Sequence, residues 1–125
     1  MKLDAYNTFS DSQAITATAA SENELEFPVG NIGEGSPVFI YTQATETFTA
    51  SGDATLTITL QDSADGSTWA DVVQTAPIPK ADLAAGDVPI VVSVPRGTEK
   101  FLRLNYTVAT GPFTAGKLYA GLRWT

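Results

Sequence analysis

The chain has 125 residues, 43% of them hydrophobic and 17% charged, with seven Lys and Arg against fourteen Asp and Glu. It contains neither Cys nor His, which removes thiol nucleophiles, disulfides, thiolate zinc sites, the Ser-His-Asp triad and the commonest metal ligand. The length suits one domain that folds without staples, and an enzyme is not expected, although carboxylate chemistry and oxygen-ligated calcium or magnesium survive the cut.

Thr and Ala each occur 17 times. Thr is β-branched and favours a pleated surface, so a Thr-rich chain of low charge reads as a sheet protein with uncharged outer faces. No apolar run approaches the roughly 20 residues of a membrane span. The opening residues Met1 to Asn7 lack a hydrophobic signal region, so the chain is expected to stay where it is made. The sequon Asn105-Tyr106-Thr107 then has no glycosylation meaning.

In chain order, residues 1–35 are polar and weakly patterned, and part of them is expected to form an extended arm. Short strands are expected over 14–19, 25–29 and 38–43. The clearest strand is 54–60, whose strict alternation sends Leu56, Ile58 and Leu60 inward and three Thr outward. The Asp65-Gly66 turn signals a hairpin into a strand over 69–75. Residues 80–85, closed by Gly86, form the one helical candidate. A strand over 88–94 carries Pro89 near its start, a position suited to an edge. Strand 101–108 buries Leu102, Leu104, Tyr106 and Val108, and the last strand buries Leu118, Ala120, Leu122 and Trp124. About eight short strands at regular spacing predict an all-β, single-domain antiparallel sandwich, jelly-roll-like, over residues 1–125.

Charge divides along the chain. Residues 1–65 hold ten acids and one base, giving −9; residues 66–125 hold four acids and six bases, giving +2. Net acidity argues against nucleic acid and anionic membranes as partners, while the asymmetry suits protein contacts between opposite charges.

Few motifs suggest chemistry. Residues 62–67 (DSADGS) lack the full acid set and closing Glu of a calcium hand, and fit a hairpin tip held by Asp side chain-to-backbone bonds. Residues 30–35 (GNIGEG) lack the Lys-Ser/Thr ending of a phosphate loop. No metal or cofactor is expected. Glu22, Glu24 and Glu26 share one face of an extended chain and form an acidic stripe. Nothing selects a glycosidase pair from fourteen acids. Tyr41, Trp69, Tyr119 and Trp124 offer a sugar-stacking platform, although Trp69 and Trp124 read as core-facing. If the last two strands pair with Leu104 opposite Leu122, Arg103 falls opposite Arg123, an unfavourable pair that a partner carboxylate would relieve. If those strands lie in different sheets, the two Arg never meet.

Three stretches, 9–16 (FSDSQAIT), 31–35 (NIGEG) and 95–106 (PRGTEKFLRLNY), together with 111–117 (GPFTAGK), resemble the capsid cement (decoration) proteins of tailed bacteriophages. Strand 54–60, the Asp65-Gly66 turn and Trp69 continue the resemblance over nearly the whole chain. It implies a jelly-roll sandwich on the outer capsid surface of the virion, assembled in the host cytoplasm. Its expected partners are the major capsid protein and further copies of itself, as a homo-dimer or homo-trimer, and it implies no catalytic residues. The candidate partner-binding residues are Asp11, Gln13, Glu22, Glu24, Glu26, Arg103 and Arg123. Deletion of residues 1–12 is expected to spare the fold but weaken capsid attachment. The competing expectation is a carbohydrate-binding β-sandwich module.

Overall fold

A computed structural model describes residues 8–26, 38–89, 91–94 and 98–124, with the backbone but not the side chains of Arg123 and Trp124. Among the described residues ten strands follow in order: β1 (Thr8–Ala14), β2 (Ala19–Ala20), β3 (Leu25–Glu26), β4 (Val38–Thr49), β5 (Thr55–Ser63), β6 (Ala70–Gln74), β7 (Ile78–Pro79), β8 (Val91–Ser93), β9 (Phe101–Ala109) and β10 (Ala115–Trp124). They form two antiparallel sheets. Sheet A runs β1-β10-β4-β8; sheet B sets β2 and β3 along β9, then β5, then β6 and β7. The first strand therefore lies beside the last, β2 and β3 beside β9, β4 beside β8, and β5 beside β6 and β7. This is the pairing of a long hairpin rolled into a jelly roll.

Period-two alternation builds the core. Leu102, Leu104 and Tyr106 of β9 are fully buried, as are Leu56, Ile58 and Leu60 of β5 and Leu118, Ala120 and Leu122 of β10. Those inner faces and Val38, Ile40 and Ala44 of β4 belong to one contiguous cluster joining both sheets. Gly116 sits where β10 crosses Phe48. Its φ is +147°, and a Cβ there would lie 2.5 Å from the Phe48 ring. That clearance lets Phe48 meet Phe113 edge to face at 5.0 Å.

Several expectations need correction. The strand expected at 14–19 begins earlier, as β1; Ile15 turns into the core and the chain bends before β2. Of the polar first 35 residues, 8–26 belong to the sandwich, because Phe9, Ile15 and Leu25 are apolar enough to anchor them. The remainder of the expected arm lies outside the described residues, as does the Gly30–Gly35 stretch. Removing residues 1–12 would delete the buried Phe9, whose burial contributes about 1.5–3 kcal/mol, so that cut is expected to destabilise the fold. The helix expected at 80–85 is a single 3-10 turn, Lys80–Asp82. The segment after it runs along the outer edge of β4: Ala44 N–H donates to Asp87 O, Gly86 N–H to Ala44 O and Phe48 N–H to Leu83 O. It shields an edge that a regular helix could not pair with. The strand expected at 88–94 is reduced to β8.

Candidate interaction surfaces

The first surface is a clasp that closes one side of the sandwich. Strand β1 is the edge of sheet A, β2 and β3 the edge of sheet B, and a polar network ties them. Ser10 Oγ donates to Gln13 Oε1 at 2.7 Å, so the Tyr106 hydroxyl, 2.7 Å from Ser10 Oγ, must be the donor of that second bond. Gln13 Oε1 also accepts from Glu22 N–H at 2.8 Å, and Gln13 Nε2 donates to Ala20 O at 3.0 Å. Asp11 N–H donates to the Glu22 carboxylate at 2.5 Å, and Asn23 N–H donates to Phe9 O at 3.0 Å. Ser21 Oγ accepts from Leu104 N–H at 3.1 Å. Burial pushes the Tyr106 hydroxyl above the usual tyrosine range; the Glu22 charge adds to that rise, and the Ser10 bond opposes it. Asp11, Gln13 and Glu22 are thus brought together, with Gln13 spent on internal bonds.

The second surface is the outer face of sheet B. Registers place Arg103 opposite Gln61 on one side, while Gln61 faces Asp71 on its other. Arg103 Nε donates to Gln61 Oε1 at 2.8 Å, and Gln61 Nε2 donates to Asp71 Oδ1 at 2.9 Å. Glu24 lies 4.0 Å from the Arg103 guanidinium, which stacks 4.4 Å from the Trp69 ring centroid. A row Glu24–Arg103–Gln61–Asp71 therefore crosses the sheet. At these exposures the ion pair adds only a few tenths of a kcal/mol, and the row mainly fixes side-chain positions.

The sheet topology decides between the two arrangements open for Arg103 and Arg123, and the row corrects the reading of Trp69. Strand β9 lies in sheet B and β10 in sheet A, so Arg103 does not face Arg123; Arg123 is opposite Phe39 on β4. Trp69 is half-buried beneath Arg103 on the outside rather than in the core. The acidic stripe also divides: Glu22 turns to β1, Glu24 to Arg103, and Glu26 remains exposed on β3. The Trp124 side chain lies outside the described residues.

At the β5–β6 hairpin tip, Asp65 Oδ1 accepts from Ser67 N–H at 2.9 Å and Thr68 N–H at 3.0 Å, and Ser63 Oγ bonds the same carboxylate at 2.9 Å. The Thr68 and Ser67 amides, then Ser63, hold its pKa down at about 2. Gly66, at φ +81°, completes the turn. Among the described residues, no three Asp or Glu gather as metal ligands would.

The third surface holds two aromatics that the sequence offered as a stacking platform, Tyr41 and Tyr119, together with Phe39, which it did not single out. On sheet A, Ile40, Leu118, Ala120 and Leu122 point inward, which turns Phe39, Tyr41 and Tyr119 outward, all half-buried. Tyr41 stands opposite Gly121 on β10 and the exposed Val91 on β8; Tyr119 stands opposite Gln43. The signal was present in residues 38–41 (VFIY), a run without alternation that a one-sided strand has no reason to carry.

The molecule is therefore a jelly-roll β-sandwich with one polar outer face and one aromatic outer face. The Bbp16 family model matches residues 9–122, nearly the whole chain, and the chain belongs to the Bbp16 family. Among curated proteins, none matches it.

Proposed function

We propose that this protein is a structural cement protein that binds the outside of a tailed-phage head, bridges neighbouring major-capsid subunits and stabilises the shell. It works without catalysis, as a homo-dimer or homo-trimer, in the virion after assembly in the host cytoplasm. The observation that carries the reading is the aromatic outer face of sheet A on a jelly roll whose segments resemble cement proteins. Half-buried Tyr and Phe give large contact area at low entropic cost, and their concentration on one face suits repeated protein contacts. Each site can be modest in affinity, because many copies on one shell act together. Mixing the purified chain with undecorated heads tests it. Saturable, stoichiometric co-sedimentation and raised resistance of the heads to heat are expected; no binding at micromolar concentration rejects the reading.

A second reading is favoured by the same three aromatics, which can stack on sugar rings as a carbohydrate-binding module. It requires retention on immobilised polysaccharide and monomeric sedimentation, neither expected of a cement protein.

A further inference from the structure

The two sheets part along the edge formed by β6 and β8. A cavity of about 340 Å³ opens there. Its floor is core: Ile40, Ile58, Leu60 and Leu104, with Val73 and Val92 as walls. A dry apolar cavity of roughly 150 Å³ already accepts benzene, so this one has room for an aromatic or branched aliphatic side chain. A shallower trough of about 580 Å³ adjoins it, sharing Thr75 and Pro89 and carrying the exposed carboxylates Asp82 and Asp87.

Three independent features converge at this place. Val88 and Val91, 42% and 49% exposed, are the large hydrophobics that the described residues leave in water, and both border it. Strand β8 is the terminal strand of sheet A, with a backbone edge unpaired among the described residues. The rim is acidic, as is the molecule, at net −7. Ile90, between Pro89 and Val91, lies outside the described residues.

The geometry points to this cleft as the docking site for an extended segment of a partner protein that presents one large apolar side chain next to a Lys or Arg. The segment lies along the β8 edge by main-chain pairing, its apolar side chain enters the cavity, and its basic residue meets Asp82 and Asp87. An acidic rim disfavours the acid-rich first half of a second copy and favours a basic partner segment. The cleft asks for that chemistry whether or not the partner is a capsid protein.

The test is selection of displayed random heptapeptides on the folded, full-length protein, followed by binding of the enriched peptide in solution. Enrichment of an apolar residue beside Lys or Arg is expected. Val91→Asp, at the exposed rim, should weaken the selected peptide at least tenfold. Asp82→Asn with Asp87→Asn, which keeps the Asp87 side-chain acceptor for Ala84 N–H, should weaken it several-fold and flatten its salt dependence. Val73→Trp, filling the cavity, should abolish binding; a preserved melting temperature shows that each variant is folded. No enrichment, an acidic consensus, sequences from this chain itself, or binding indifferent to Val91→Asp overturns the proposal. Saturable uptake of an apolar dye that the selected peptide does not displace assigns the cavity to small molecules and overturns it as well.

Discussion

At the scale of single residues, the Ser10–Tyr106 contact shows how a hydroxyl decides whether a strand stays in place. Tyr106 is fully buried on β9 and its hydroxyl reaches Ser10, also fully buried, across 96 positions of sequence. Since Ser10 spends its proton on Gln13, Tyr106 donates, and each partner satisfies the other. Ser10→Ala strands a buried hydroxyl and should cost about 1–3 kcal/mol; Tyr106→Phe, which leaves Ser10 its bond to Gln13, should cost less, about 0.5–1.5 kcal/mol. Combining them should cost less than the sum of the two, with a coupling of about 0.5 kcal/mol or more in urea denaturation. Strict additivity would mean that the contact carries no stability. Tyr106 was legible as inward-facing from its alternation with Leu102 and Leu104. Its partner was not: a Ser in a polar opening segment gives no sign that it is buried.

Elements divide into those that alternation specifies and those that tertiary context imposes. Strands β5, β9 and β10 were legible because each spans at least nine residues with one face in the core, where a one-residue slip would expose the whole apolar set. Strand β8 was legible as an edge strand though not in its extent, and the 3-10 turn was not legible; both are shaped by the β4 edge they cover rather than by their own pattern. The hairpin tip between β5 and β6 was read correctly as an Asp-stabilised turn, and it makes a pH-dependent prediction. Asp65 has its pKa lowered from 3.8 to about 2, so its stabilising effect is present above about pH 4 and lost as pH falls through 2. Asp65→Asn should therefore melt below wild type at pH 6, and the gap should close between pH 4 and pH 2. A gap that stays constant across that range would show that the amide bonds favour neither protonation state.

At the scale of the whole molecule, rolling a hairpin gives two outer faces that adjacent strands share unequally, and no sequence pattern announces which residues will be neighbours. Arg103 and Arg123 illustrate this: similar strand patterns left open whether they face each other, and the roll sends their strands to different sheets. The same roll gathers Thr57 and Thr107 on sheet B, directly opposite one another, and Phe39, Tyr41 and Tyr119 on sheet A. If sheet A is the docking face, replacing its aromatics must matter and replacing the threonines must not. Tyr41→Glu or Tyr119→Glu should lower attachment to heads by about tenfold or more, since central Tyr side chains often contribute about 2 kcal/mol to an interface. The fold should survive, because both rings project away from the core; a loss near 1 kcal/mol is expected from β-propensity and local packing. Thr57→Glu and Thr107→Glu place comparable charge on the opposite face and should leave attachment within twofold. Co-sedimentation at matched protein and salt concentrations separates the two outcomes. Equal losses from both faces would point to the net charge of the protein, rather than a chosen surface, as what governs attachment.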